Sequence, residues 1–354
     1  MAKSGWKVSG MRTRLACLLL SSLGAALPAA GQDEPTIRVD VRLVRILATV
    51  KDASGVLVGS LNKEDFQVSD NGAAQQIAVF ERQTDQPLSV ALLIDNSGST
   101  AKDLKYEVDS VTRFARALVR EGNPEDAVAL YSFNWEIVRH NGYTRNVASI
   151  DKSLRLLRGE AGTSLYDAIL LASRDIQERP GRKILVVVTD GGDTVSKTDF
   201  NRATEAAQLA DAVIYPILVV PITNEAGRNV GGENALTTLS QRTGGRVFAP
   251  SLGGALDQAF DQIIRDLRTQ YLIGFYPKNV PLGKDRFHTL DVGVTDSRLR
   301  VTARSGYYGE AQSAAYAAPS SVGGNSDGES VRAPKIPAPT PGRSPSNRAG
   351  STQN

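Results

Sequence analysis

At 354 residues, with 41% hydrophobic and 22% charged side chains, the chain has the composition of a soluble globular protein of about two domains, which excludes a membrane-embedded or wholly disordered class. Its 41 basic and 38 acidic side chains leave a formal charge of +3, too weak a bias to imply nucleic acid as a partner. A single cysteine, Cys17, and two histidines, His140 and His288, exclude a disulfide framework and a histidine-rich metal cluster.

The first segment reads as a targeting sequence. Lys3, Lys7, Arg12 and Arg14 precede an apolar run from Leu15 to Leu27, and Ala29, Ala30 and Gly31 follow it. That order matches a secretory signal over residues 1–31, cleaved near Gly31, with Met11 as an alternative start. The run is shorter than the ~20 residues a spanning helix needs, and Ser21, Ser22 and Pro28 break it. The expected mature chain therefore lacks cysteine and lacks a membrane span, and is secreted, periplasmic or held at the cell surface.

From Thr36 to Arg82 apolar and polar residues alternate, as in half-buried strands. Ile37, Val39, Val41 and Leu43 share one face, and the phase shifts before Ile46, Ala48 and Val50 as at a bulge. The stretch from Lys51 to Gly55 and Asp70-Asn71-Gly72 are hairpin turn signals, so the segment 36–85 is expected to hold about five short strands. Between Pro87 and Arg268 the texture changes. Residues 88–95, 126–133, 183–190 and 212–220 are strand-length runs apolar on both faces, as strands covered by helices on each side must be. Helical stretches fall at 102–120, 163–179, 198–211, 232–243 and 254–268. Strands alternating with helices predict an α/β unit over 87–268 with a doubly wound, Rossmann-like, mostly parallel sheet. Pro216 is out of place in a strand unless it marks an end or a bulge.

After Arg268 alternation returns at 271–277, 287–294 and 298–305. Each flank is small, so the economical arrangement joins 36–85 and 269–309 into one antiparallel sandwich with the α/β unit inserted between them. Residues 310–354 are rich in Ala, Ser, Gly and Pro and too poor in large apolar groups to form a core, so a disordered tail is expected.

Ligands of an open α/β sheet sit beyond the carboxyl ends of its strands. Asp95 ends the first buried run and Asp190 ends KILVVVTD, so both carboxylates face that crevice. Ser97 and Ser99 follow two residues apart within DNSGST, and Gly162 opens a loop that brings Thr163 to the start of a helix, where it also reads as a plain cap. Asp193 competes with Asp190 as the acid nearest the crevice, and the strand-end position favours Asp190. The set consists of hydroxyl and carboxylate oxygens, which suits a hard divalent cation such as Mg2+, with Mn2+ or Ca2+ as alternatives.

These residues resemble a known family. DNSGST (95–100), GTSLYDA (162–168) and VVVTDGGD (186–193) look like the three loops of the metal-ion-dependent adhesion site of von Willebrand factor type A domains. The family pattern, Asp-x-Ser-x-Ser followed by a threonine and an aspartate, falls on Asp95, Ser97, Ser99, Thr163 and Asp190, and covers roughly residues 88–265. LNKEDF (61–66), FER (80–82) and SGYYG (305–309) also resemble a secreted bacterial, acidobacterial-type subgroup that carries this domain. The resemblance implies a protein-interaction or adhesion module whose ion takes up a Glu or Asp of a protein partner. Ser97 and Ser99 are expected to bind the ion directly, and Asp95 mainly through water.

Two other readings use the same residues. A metal-free interaction module keeps the fold and discards the ion. A metal-dependent hydrolase or phosphotransferase would use Asp95 as its nucleophile. The second lacks the phosphate cradle GxxxxGK[ST] and a GxSxG elbow, so a non-enzymatic role is expected. His140 and His288 read as strand or surface residues, and Arg139, Arg145, Arg155 and Arg158 as a solvated basic face.

Overall fold

A computed structural model describes residues 43–82, 85–98, 104–219, 229–250, 254–280 and 286–309. The expected signal (1–31), the strand expected around Ile37 to Val41, the tail (310–354) and the candidate ligand Ser99 lie outside the described residues.

Strands β1 (Val44–Lys51), β2 (Phe66–Asp70), β3 (Ala73–Gln75) and β4 (Ile77–Arg82) come first. Between β2 and β3 the chain reverses at Asn71 (φ 46°) and Gly72 (φ 81°), both in the left-handed region that a two-residue hairpin turn demands. The Lys51–Gly55 signal is also a turn: the Asp52 carboxylate accepts the Ser54 and Val56 amides, each at 2.9 Å.

The α/β unit follows: β5 (Leu88–Asp95), α1 (Leu104–Glu121), β6 (Ala127–Phe133), β7 (Ile137–Thr144), α2 (Val147–Leu154), α3 (Leu165–Ile176), β8 (Arg182–Thr189), α4 (Phe200–Leu209), β9 (Ala212–Leu218), α5 (Val230–Thr243) and α6 (Gly254–Thr269). The sheet order is β7-β6-β5-β8-β9. β6, β5, β8 and β9 run parallel, and β7 is an antiparallel edge. Every residue of β5, β6, β8 and β9 is buried, because helices cover both faces of the sheet. One face packs Val111, Phe114 and Leu118 of α1, Ile150 of α2 and Phe260 of α6, with the Phe114 and Phe260 rings 4.7 Å apart. The other packs Ile169 of α3, Ala203 and Ala207 of α4 and Leu236 of α5. Burying each large side chain contributes about 1.5–3 kcal/mol.

Strand β7 and helix α2 were not expected. β7 has no fully buried residue and so carries no apolar run, and α2 has eight residues, too few for a clear helical period. Pro216 sits inside β9, which is the other edge of the sheet. The Leu218 amide on the same side donates outward to the Phe248 carbonyl at 2.7 Å, so the N–H that proline lacks belongs to the outer side and the ladder to β8 is intact.

The chain then forms β10 (Tyr271–Phe275), β11 (Phe287–Val294), β12 (Arg300–Thr302) and β13 (Gly306–Tyr308). Two four-stranded sheets result, β12-β1-β10-β4 and β13-β11-β2-β3, each drawing strands from both sides of the α/β unit. Ile46, Ile273, Phe275, Phe66 and Leu290 fill the space between them. The strand expected over 298–305 is confined to Arg300–Thr302, and a further strand, Gly306–Tyr308, follows it. β12 pairs with β1 and β13 with β11, so the chain changes sheet near Ser305.

Ion pairs join the sandwich to the α/β unit. Asp211, which precedes β9, accepts from Arg304 at 2.7 Å and from Arg45 at 3.3 Å. Asp266 of α6 pairs with Lys51 of β1 at 3.2 Å and with Arg246 at 2.7 Å. Asp211 marks the amino-terminal ends of the parallel strands, so the carboxyl-terminal ends lie away from this junction.

Candidate metal centre

β5 and β8 are adjacent parallel strands, so Asp95, the last residue of β5, and Asp190, which follows β8, emerge at the same end of the sheet. Asp95 is fully buried. One carboxylate oxygen accepts the Ser97 amide at 2.9 Å and the other the Thr189 hydroxyl at 2.6 Å. Burial pushes the Asp95 carboxyl up to about 6; the Thr189 hydroxyl and the Ser97 amide and hydroxyl hold it down in part, and the neighbouring Asp190 charge pushes it further up.

The strand-end loop is pinned on both sides. Asn96 donates its amide to the Phe133 carbonyl at 3.1 Å and its side-chain Nδ2 to the Arg158 carbonyl at 2.7 Å, and its own carbonyl accepts the Glu160 amide at 3.1 Å. Ser97 is buried and bridges to Glu160 in a parallel sense.

Gly162 (φ 85°) turns the chain in the left-handed region, and a Cβ there would come within 3.1 Å of the Trp135 Cβ, so both conformation and space call for glycine. The turn delivers Thr163, whose hydroxyl makes no hydrogen bond among the described residues. The expectation that Thr163 caps the next helix is corrected. The cap position is Ser164, because its amide is tied to the Asn134 carbonyl at 2.7 Å and the first helical bond runs from Ala168 to the Ser164 carbonyl. The Ser164 hydroxyl makes no capping bond and, like Asn96 Oδ1, is buried without a partner.

Asp190 is half-buried and accepts the Gly192 amide at 3.3 Å. Asp193 is committed elsewhere: it accepts the Ser196 hydroxyl at 2.5 Å and the Tyr166 amide at 3.3 Å. It belongs to a clasp between the loop after β8 and the first turn of α3. The Thr163 amide donates to the Thr194 hydroxyl at 2.9 Å, and the Thr163 carbonyl accepts the Thr194 and Val195 amides at 2.9 and 3.2 Å. The Asp167 carboxylate accepts the Lys197 and Thr198 amides at 2.9 and 2.8 Å. Burial raises the Asp167 carboxyl, but these amides outweigh it and hold it below the usual range. The clasp thus sets the spacing between Thr163 and Asp190. Asp167→Ala is expected to lower metal affinity about 10- to 100-fold, as loss of an outer partner does, with a small change in melting temperature; isothermal calorimetry checks it.

The sequence reading missed Thr189 and this clasp. Thr189 has no signal of its own inside an apolar strand. Asp167 did have one, because Ser164-x-x-Asp167 is a capping-box spacing, yet its carboxylate serves the loop after β8 instead of its own helix end. The histidines are placed apart from this set: His140 contacts the Ser132 hydroxyl at 2.8 Å and His288 the Asp70 carboxylate at 2.9 Å.

Among the described residues no group of three or more His, Cys, Asp and Glu is placed to hold a metal. The set at the sheet end is of another kind, two carboxylates with hydroxyls around them. A buried acid beside a second acid, at the sheet end where the Thr163 and Ser164 hydroxyls make no hydrogen bond among the described residues, fits a hard dication that takes oxygen ligands and keeps water. Among the described residues no helix is long and apolar enough to cross a membrane.

Residues 90–192 match the family model of the von Willebrand factor type A domain. Solved structures similar to this chain include the vWF domain of the type V pili tip protein Mfa5 from Porphyromonas gingivalis, at 15% identity and TM-score 0.45, covering 57% of this chain and 98% of that one. An aerotolerance-related membrane protein from Bacteroides fragilis aligns at 17% identity and TM-score 0.39, covering 51% and 98%. The PilB minor pilin from Streptococcus sanguinis aligns at 14% identity and TM-score 0.41, covering 53% and 62%. No curated protein matches the chain.

Proposed function

We propose that this chain, whose α/β unit carries a von Willebrand factor type A domain matched over residues 90–192, is a metal-ion-dependent protein-interaction module, secreted or displayed at the cell surface. Ser97 and Ser99 would hold Mg2+, or Mn2+ or Ca2+ in its place, directly, with Asp95 mainly through water and Thr163 and Asp190 completing the set. The bound ion would supply a positive charge with an open position for a Glu or Asp of the partner. The protein's own part is to hold these oxygens at a rigid sheet end and to exclude bulk water from Asp95.

The observation that carries this reading is the buried Asp95 carboxylate, raised by burial and by Asp190, at the sheet end away from the sandwich junction. A buried acid kept there without an ionic role would be a standing desolvation cost. The N-terminal segment, read as a secretory signal, supports the location.

Calorimetry of the purified protein is expected to show binding of Mg2+ and Mn2+. A pull-down from the producing cell's envelope is expected to retain a protein that a chelator releases. No heat and no thermal shift with either metal would overturn the metal-dependent reading.

A further inference from the structure

We propose that the crevice holds a second recognition feature beside the metal position, a cation seat made by the Trp135 ring and the Glu160 carboxylate, so that the partner presents a lysine or arginine close to the acid it offers. The inference rests on the metal-dependent reading for the position of that acid. The seat itself stands on residues outside the donor set.

Trp135 follows β6 in a tight turn, in which the Asn134 amide donates to the Glu136 carbonyl at 3.0 Å and the Glu136 amide to Asn134 Oδ1 at 2.8 Å. Its backbone packs on Gly162, next to Thr163, so the side chain is directed out at the rim and is 61% exposed. Leaving so large an apolar ring in water forgoes its burial, and exposed aromatics at a crevice rim are the kind of residue that dominates interfaces. The only polar atom of the ring, Nε1, donates to Glu160 Oε2 at 2.7 Å, which fixes the indole and leaves its face available. Glu160 is held in turn by the hydrogen bond that its backbone N–H donates to the Asn96 carbonyl, beside Ser97. A fixed ring face with a carboxylate at its edge attracts an ammonium or guanidinium group through both the ring quadrupole and the charge.

Among the described residues Arg179, Arg242, Arg246 and Arg304 lie over aromatic rings, and none lies over Trp135. Charge decides between a basic and an apolar occupant. Glu160 carries a carboxylate beside the donor set that the bound ion does not contact, so a partner bringing only an acid meets repulsion there. An apolar group laid on Trp135 would desolvate Glu160 with nothing in return. A base beside the partner's acid removes both penalties.

The test is capture of a heptapeptide library with a fixed central glutamate and all other positions varied, on the full-length protein with and without Mg2+. The expected result is Mg2+-dependent capture with lysine and arginine enriched about two- to fivefold at one position, the range of an exposed cation–aromatic contact. That enrichment should be lost in Glu160→Gln and in Trp135→Leu, while both variants keep the parent's calorimetric Mg2+ affinity and melting temperature. Apolar enrichment, no enrichment, enrichment that survives both variants, or Mg2+ heat without peptide capture each overturns the seat and leaves the metal reading standing. Absence of any Mg2+ heat instead removes the metal reading and this inference with it.

Discussion

Asp95→Asn is expected to abolish Mg2+ binding, lowering affinity more than about hundredfold, while the metal-free protein melts no earlier than the parent. The first half follows from charge. Asp95 supplies half of the carboxylate charge in the donor set, and the hydroxyls that make up the rest of the set do not replace it. The second half follows from burial. Asp95 is fully buried, and its carboxyl is already pushed up to about 6 by the cost of keeping a charge out of water. Asparagine keeps the shape and the oxygen that accepts the Ser97 amide. Its Nδ2 then faces the Thr189 hydroxyl, which can rotate to accept instead of donate. Calorimetry and a thermal melt separate the two effects. Equal Mg2+ affinity in parent and variant would show that Asp95 has no part in the site, and a markedly lower melting temperature would show a structural role.

The second large effect is on stability. Asp266→Ala is expected to cost about 3 kcal/mol, a fall in melting temperature on the order of 10 °C. The Asp266 side chain is 2% exposed and pairs with Lys51 of the sandwich and Arg246 of the α/β unit. Burial pulls the Lys51 ammonium below its ordinary range and Asp266 offsets this in part, so removal of Asp266 leaves two cations facing one another. Their side chains are 21% and 32% exposed and can turn partly to water, which places the loss at the lower end for a broken buried pair. Lys51→Met is the control. It removes one cation, leaves the Arg246 pair intact and should cost under about 1 kcal/mol. Similar losses in both variants, read by denaturant titration, would show that the network does not act as an uncompensated charge.

Much of the fold was legible because the signals are local. The run LSVALLID is apolar on both faces, which only a strand covered on both sides can use, and β5 is buried throughout. Asn71-Gly72 announced a hairpin because few residues tolerate positive φ. The misses have equally local causes. Strand β7 contains no fully buried residue and so lacks the apolar run that marks its neighbours, and the 298–305 stretch alternates throughout although only Arg300–Thr302 within it pairs as a strand. In the candidate site, Asp95, Ser97, Thr163 and Asp190 stood out because each is an oxygen side chain at a strand end or the start of a helix, on the side where a ligand of such a sheet sits.

What the sequence determined by itself, then, is the set of elements and the donor types they carry, because period and strand-end chemistry depend on neighbours only a few residues away. Tertiary structure alone decided which of these groups meet. It turned Asp193 toward Tyr166 and Ser196, gave Thr189 to Asp95, and brought Trp135 against Gly162 and Glu160. It also joined Asp266 to Lys51, more than two hundred residues earlier in the chain. Such pairings depend on strand order and on the path of loops between strands, which no local pattern records.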